Sequence, residues 1–185
     1  MASFNYRNAQ KTADRLIKQF GFKLPVLKPV YEFDPVSGLN TVVSIQVSTN
    51  NSVSLPASSG TVQAFDNKFK EDLKKGKIRF LYISSKELSF EIEAGDLVIF
   101  ENRLWHIAGA TPLNPAGVSV YNTVGIRDGG MDIQSLLSET DLVEYISIID
   151  AVNNKGSTNS EINSLLTNFF ASIIQKSNGN VFTQN

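Results

Sequence analysis

Between Gly60 and Arg127 the chain repeats one pattern, a short run of alternating apolar and polar residues closed by Gly, Asn or Asp: TVQAF, KIRFLYI, ELSFEI, DLVIF, RLWHIAG and VSVYNTVGIR. A period of two sends successive side chains to opposite faces of a strand. Short runs at such even spacing predict an antiparallel meander closed into a small barrel or sandwich. EAGD (Glu93 to Asp96) and FEN (Phe100 to Asn102) read as tight turns on either side of one strand, with Asn102 suited to a positive φ. The same alternation separates the only Trp from the only His. Trp105 goes with Arg103 and Ile107, and His106 with Leu104 and Ala108, so these neighbours cannot share a pocket.

Outside that stretch the period is 3.6. Tyr6, Ala9, Ala13, Leu16, Ile17 and Phe20 predict an amphipathic helix, with Gly21 as a left-handed C-terminal cap. Pro25 and Pro29 forbid helix after it, FDPVSGLN reads as a turn, and the β-branched run Thr41 to Val47 completes a first hairpin. Ser48 to Gly60, rich in Ser and Asn, reads as a mobile loop or extended arm. Its Asn50-Asn51-Ser52 sequon carries no weight without secretion. Past Asp128-Gly129-Gly130, the residues Ile133, Leu136, Leu137, Leu142, Tyr145, Ile146 and Ile149 suggest one helix or two short ones, with Ser138 and Asp141 as candidate caps. Ile162, Leu165, Leu166, Phe169, Phe170, Ile173 and Ile174 form a last stripe behind a Thr158-x-x-Glu161 capping box. The expected class is α+β: an N-terminal helix, a small antiparallel β-barrel or sandwich, and a C-terminal helical hairpin. The expected division is residues 1–129 and 130–185.

Composition narrows the function. Seventeen basic against eighteen acidic residues leave a formal net charge of -1, so no global field collects polyanions or membranes. Without cysteine there is no thiolate nucleophile, disulfide or cysteine-ligated zinc, and one His excludes a His-rich metal site within a single chain. The first twenty residues lack the apolar core of a signal peptide, and no run approaches a membrane span. The expectation is a soluble, cytoplasmically made protein without cofactor.

Few residues suggest chemistry. His106 has no nucleophile turn to serve and reads as a strand residue. Glu91 with Glu93, and Glu71 beside Asp72, are carboxylate pairs of the kind a hydrolase uses, but acidic residues near turns are mostly solvated. KKGKIR fails the phosphate-loop pattern, because Glu71 stands where its first Gly belongs and Ile78 replaces the Ser or Thr. The one local charge feature is the basic run Lys68, Lys70, Lys74, Lys75, Lys77 and Arg79. It is either a solvated turn that protects a sheet edge or a rim that meets DNA or an acidic partner when repeated around a ring. Leu166, Phe169, Phe170 and Ile173 are candidate interface residues, with burial against their own chain or a neighbour both open.

The order of these features resembles a family of small tailed-bacteriophage head and neck proteins. FNYRNAQKTADRLIKQFG, with its Phe-x-Tyr start, Ala-x-Arg-Leu-Ile core and closing Phe-Gly, is similar to that family's opening helix. The VYEFDPVSG turn and the block AGDLVIFENRLWHIAGATPLNPAGVSVYNTVGIR resemble the rest, so the likeness covers about Ser3 to Arg127. From Gly130, LSETDLVEYISI and SEINSLLTNFFASIIQKSNGNVF are similar to the two opening helices of the connector adaptor family, although NGNVF lacks the expected Arg and the rest of an adaptor is absent. The resemblance implies a head-completion or stopper-like structural virion protein with no enzymatic role, a ring subunit of the head-to-tail connector. Its implied partners are a portal or adaptor ring, tail or tail-terminator proteins, and copies of itself in a cyclic ring. Genomic DNA would pass through the channel, no membrane is involved, and the place is the virion neck after assembly in the host cytoplasm. The alternatives are a tail-completion or tail-terminator ring protein, and a small soluble binding protein or carboxylate-based hydrolase.

Overall fold

The computed structural model describes residues 5–35, 38–55, 67–75, 77–86, 88–131, 137–154 and 156–177. Helix α1 (Tyr6–Phe20) starts at Asn5, whose side chain accepts from the Asn8 N–H. Strands β1 (Phe22–Asp34), β2 (Leu39–Ser54), β3 (Ile78–Ser84), β4 (Leu97–Phe100), β5 (Arg103–Leu113) and β6 (Tyr121–Met131) close into an antiparallel barrel in the order β1-β2-β3-β6-β5-β4. Helix α2 (Asn67–Lys74) precedes β3 in the chain, and α3 (Glu139–Asn153) and α4 (Asn159–Ser177) follow the barrel. This is the α+β class that alternation and periodicity predict, with the N-terminal helix and the C-terminal helix pair in place.

Closure is uneven. β3 pairs with β6 from Ile78↔Arg127 to Ser84↔Tyr121, and β1 pairs with β2 from Phe22↔Ser52 to Asp34↔Leu39. By contrast β1 meets β4 only at Val26↔Val98 and Leu27↔Leu97, and β2 meets β3 only from Ser52 to Ser54. Among the described residues, the rest of the β1–β2 hairpin has ladder partners only within itself. It therefore runs past the barrel wall as a two-stranded ribbon.

Alternation builds two cores from the same strands. Val26, Val98, Trp105 and Ile107 point inward, where they meet Leu24, Leu81, Ile83, Val124 and Ile126. Their neighbours Leu27, Leu97, Ile99 and Leu104 point outward and, with Val42, Ile45 and Val47 of β2, form the face that α3 and α4 cover. β4 is buried at all four positions because it is covered on both sides. Helix α4 lies mainly along β2 and carries the capping box read from the sequence. The Thr158 N–H donates to Glu161 Oε2 at 2.7 Å, and the Glu161 N–H donates to Thr158 Oγ1 at 3.2 Å. Ser138 caps α3 by accepting from the Asp141 N–H, and Lys176 near the end of α4 pairs with Asp141, clasping the two helices.

Four local expectations need correction. Gly21 is extended, at φ -98°, and not left-handed; a Cβ there would lie 2.1 Å from the Ser52 carbonyl oxygen, so close backbone approach explains the glycine. The polar run from Ser48 is no loop as far as Ser54 but the second half of β2, with Ser48, Thr49, Asn50 and Ser52 buried; pairing with β1 outweighs composition there. Leu88 to Ile92 of ELSFEI form no ladder. Their apolar residues pack into the barrel interior as a plug, which accounts for the alternation. Lys70 to Lys74, expected in a charged turn, belong to α2, where Leu73 packs against Ile78 and Phe80, and the Lys75 N–H donates to the Glu71 carbonyl just past its end. TVQAF, residues 56–60, Ile133 and Leu136 lie outside the described residues.

Candidate functional site

Trp105 and His106 point to opposite sides of β5, as the alternation requires. The Trp105 indole is inside the barrel, donating from Nε1 to the Phe100 carbonyl at 3.0 Å and meeting the Phe100 ring edge-on at 5.8 Å. His106 is half-buried on the other face, across the ladder from Arg127; burial, and then the Arg127 charge, hold its pKa below the ordinary imidazole value. One carboxylate of each pair makes an ion pair. Glu93 pairs with Lys28 at 2.7 Å, Lys28 also donates to the Glu91 carbonyl, and Asp72 pairs with Arg127 at 2.7 Å. Asp96 accepts from the Glu93 N–H at 2.8 Å to close the EAGD turn, and its burial pushes its pKa up. Glu101 and Asn102 both take positive φ, at 50° and 61°, and form the tight turn between β4 and β5. Among the described residues, no three His, Cys, Asp or Glu side chains gather as a metal site would require.

The basic run divides. Lys68, Lys70 and Lys74 belong to α2, and Lys74, Lys75 and Lys77 are exposed. Arg79 leaves them. From β3 its guanidinium lies 5.7 Å from the centres of both the Phe100 and Trp105 rings and pairs with Glu101 at 2.7 Å. It thereby joins a cleft of about 430 Å³ between the barrel mouth and the end of α3, lined by Phe22, Lys23, Phe100, Asn102, Ile149 and Val152 among others. Phe22 and Phe100, 5.4 Å apart, make its apolar floor. A second depression of about 310 Å³ shares Phe22, Lys23, Val152 and Asn153 with it and adds Lys18. Lys23 donates to the Asn154 and Ser157 carbonyls, which fix its position without neutralising its charge.

Leu166, Phe169, Phe170 and Ile173 are buried in their own chain, facing the outer wall of the barrel across α4. Leu165 and Ile146, expected within the two buried stripes, are exposed instead, as are Val143 of α3 and Phe20 at the end of α1. Tyr31 (51% exposed), Phe33 (61%) and Leu39 (61%) stand at the hairpin tip. Sequence reasoning missed both the tip and the cleft. The cleft residues are scattered from position 18 to position 153, and the tip looked like an ordinary strand and turn; only the strand pairing shows that it outruns the barrel.

At the base of the same hairpin, Ser48, Asn50 and Ser52 lie across the ladder from Val26, Leu24 and Phe22. Asn50 Nδ2 donates to Ser48 Oγ at 2.9 Å, and Ser48 Oγ accepts from the Ser89 N–H of the plug at 3.2 Å. Thr49 N–H donates to Asn163 Oδ1 at 2.7 Å and so ties β2 to the start of α4. Ser52 Oγ and Asn50 Oδ1 have no hydrogen-bond partner among the described residues.

No family model matches this chain, and no curated protein or solved structure matches it.

Proposed function

We propose that the protein is a structural subunit of a ring at the head-to-tail connector of a tailed bacteriophage, joining a portal or adaptor ring to the tail. The observation that carries this reading is the hairpin tip: a small closed barrel extends one ribbon past its own wall and leaves Tyr31, Phe33 and Leu39 in solvent. Tyr31 and Phe33 share one face of the ribbon and Leu39 stands on the other, and exposed apolar groups of this size at one tip support a surface that another chain covers. The resemblance of Ser3 to Arg127 to phage neck proteins supplies the kind of assembly. In this reading the barrel is the ring wall, the helices stiffen its outer face, and the exposed lysines of α2 and its following turn form a rim whose field is multiplied by repetition.

Particle mass and symmetry test the reading. Native mass spectrometry and single-particle images of isolated connector complexes should find a closed ring of identical copies, and labelling should place it at the virion neck. A protein that stays monomeric at all accessible concentrations and is missing from purified virions would overturn it. The free chain is expected to associate weakly at micromolar concentration and to close its ring on an existing connector surface.

A further inference from the structure

Two helices lie on one outer face of the barrel, and both turn cations to solvent. Ser84 of β3 points away from its interior neighbour Ile83 and donates to Asp14 of α1 at 2.7 Å. At the other end of the strand Ile78 and Phe80, on the same face as Ser84, hold Leu73 of α2. Ile78 and Ser84 stand at the two ends of β3, so the two anchor points are about 20 Å apart.

Along α1, Arg7, Lys11, Arg15 and Lys18 are exposed and fall at i, i+4, i+8 and i+11. They make a stripe about 17 Å long that spans roughly 80° of the helix circumference. Lys74, Lys75 and Lys77, at the end of α2 and just past it, are exposed as well. The carboxylates that could balance these charges are turned inward. Asp14 accepts from Ser84 and pairs with Lys86 at 3.5 Å, Asp72 pairs with Arg127, and Glu71 is the one exposed carboxylate of the two helices. Among the described residues, none of these exposed α1 and α2 cations has an ion-pair partner. The whole chain has a formal net charge of -1, so the field is local to this face.

The chemistry of the row selects its partner. Lysines outnumber arginines in it, and protein interfaces avoid lysine whereas phosphates accept its point charge. An anionic membrane would need an apolar face to bury beside the cations. Helix α1 spends that face on the barrel, where Ile17 is buried and Gln10 donates to the Ser119 carbonyl at 2.6 Å, and its exposed Leu16 and Phe20 stand roughly opposite the stripe. A nucleic-acid duplex presents one charge per about 1.7 Å of its axis in fixed rows, which a row of cations on a rigid helix can follow.

We infer that this face, the α1 stripe with the α2 lysines beside it, binds the phosphate backbone of a nucleic-acid duplex. The inference goes beyond the ring-subunit reading and does not depend on it, because a single chain carries the whole face. Contacts to phosphate alone position a duplex without reading its bases, so binding is independent of sequence and strongly dependent on salt.

Fluorescence anisotropy of a labelled duplex of about twenty base pairs, titrated with the full-length chain, tests this. With about four phosphate contacts, affinity should fall roughly a hundredfold between about 50 and 200 mM salt. Lys11→Gln with Arg15→Gln should weaken binding by about tenfold at the lower salt and reduce the slope of log affinity against log salt by about two, at an unchanged melting temperature. Lys74→Gln with Lys75→Gln should act in the same direction. Ser147→Asp with Asn168→Asp makes the same change of net charge at exposed positions of α3 and α4, and should leave affinity within about twofold. No binding at the lower salt with the chain at about 100 μM, an affinity indifferent to salt, a loss from only one of the two lysine-bearing helices, or an equal loss from the α3–α4 control would each overturn the inference. Vesicles containing phosphatidylserine and polyglutamate serve as competitors. If either displaces the duplex at equal charge, the face belongs to a membrane or to an acidic protein and the inference is overturned as well. The duplex is run as DNA and as RNA; binding of either upholds the inference, and the tighter of the two names the source of the phosphates.

Discussion

At the base of the β1–β2 hairpin four polar side chains, Ser48, Thr49, Asn50 and Ser52, are buried, while at its tip Tyr31, Phe33 and Leu39 stand in solvent. The two ends belong to the same pair of strands and are joined by one continuous ladder with a single bulge at Val30/Tyr31. Side-chain polarity would place them the other way round. What differs is the surroundings: the base is built into a closed barrel and has the plug at Leu88 to Ile92 against it, whereas the tip runs past every other strand. Burial here follows from topology. At the base, hydrogen bonds from Ser48 to the plug and from the Thr49 N–H to α4 offset part of the cost of the inversion, while Thr49 Oγ1, Asn50 Oδ1 and Ser52 Oγ have no partner among the described residues; at the tip the apolar groups stay in solvent.

The largest test of this contrast removes what supports the ribbon. Ending the chain after Met131, the last residue of β6, strips α3 and α4 from Leu27, Val42, Ile45, Val47, Leu97, Ile99 and Leu104, and the remainder should aggregate on expression. A soluble, folded fragment that still enters particles would show that the helices merely decorate the barrel, and that the division at 129/130 separates independent parts. Next in size is Leu24→Ala at the hairpin base, fully buried across the ladder from Asn50. It should cost about 2 to 5 kcal/mol in urea unfolding, in the range of other core truncations. Ser52→Ala should have the opposite sign: removing a buried hydroxyl without a partner should leave stability unchanged or raise it by up to about 1 kcal/mol. A clear loss would mean that this hydroxyl is hydrogen-bonded in solution.

Acid should loosen the helices over the ribbon. Lys176, and then Ser138, hold the Asp141 carboxyl below its ordinary range. Its ionised form therefore stabilises the fold above the unfolded-chain pKa of about 3.9, and this contribution is lost as the pH falls through the lower folded value. Asp141→Asn should flatten the acid limb of a stability–pH profile; an unchanged limb would show that the clasp does not contribute. The smallest effect is expected at the tip. Phe33→Ser should change the monomer's stability by less than about 0.5 kcal/mol, because the ring has little to lose in its own chain. If it destabilises the monomer as Leu24→Ala does, the tip is part of the core and the contrast between the two ends fails.

What could be read from the sequence was whatever is encoded over a few neighbouring residues. The stripe of α4, its Thr158 to Glu161 box, the turn at Glu101 and Asn102, and the opposed faces of Trp105 and His106 each follow from spacings shorter than one element. Misreadings arose where a distant partner decides. Ser48 to Ser54 is polar enough for a loop but is held as strand by β1, and Leu88 to Ile92 alternates as a strand would but finds no edge to pair with. Gly21 stands where a helical cap is expected, yet its reason is the Ser52 carbonyl thirty-one positions further on. The cleft was illegible for the same cause, since Lys18, Phe22, Arg79, Phe100 and Val152 become neighbours only after closure.

The short seam between β1 and β4 has a kinetic consequence. Two residue pairs, Val26↔Val98 and Leu27↔Leu97, join segments far apart in the chain, so the loop between them must be organised before the seam repays its closure entropy. The β1–β2 and β4–β5 hairpins form from near neighbours and are available early. The barrel is then a sheet that rolls up last along this line and, at equilibrium, opens first along it. Amide protons of β1 and β4 facing the seam should exchange with solvent sooner than those of the β3–β6 ladder.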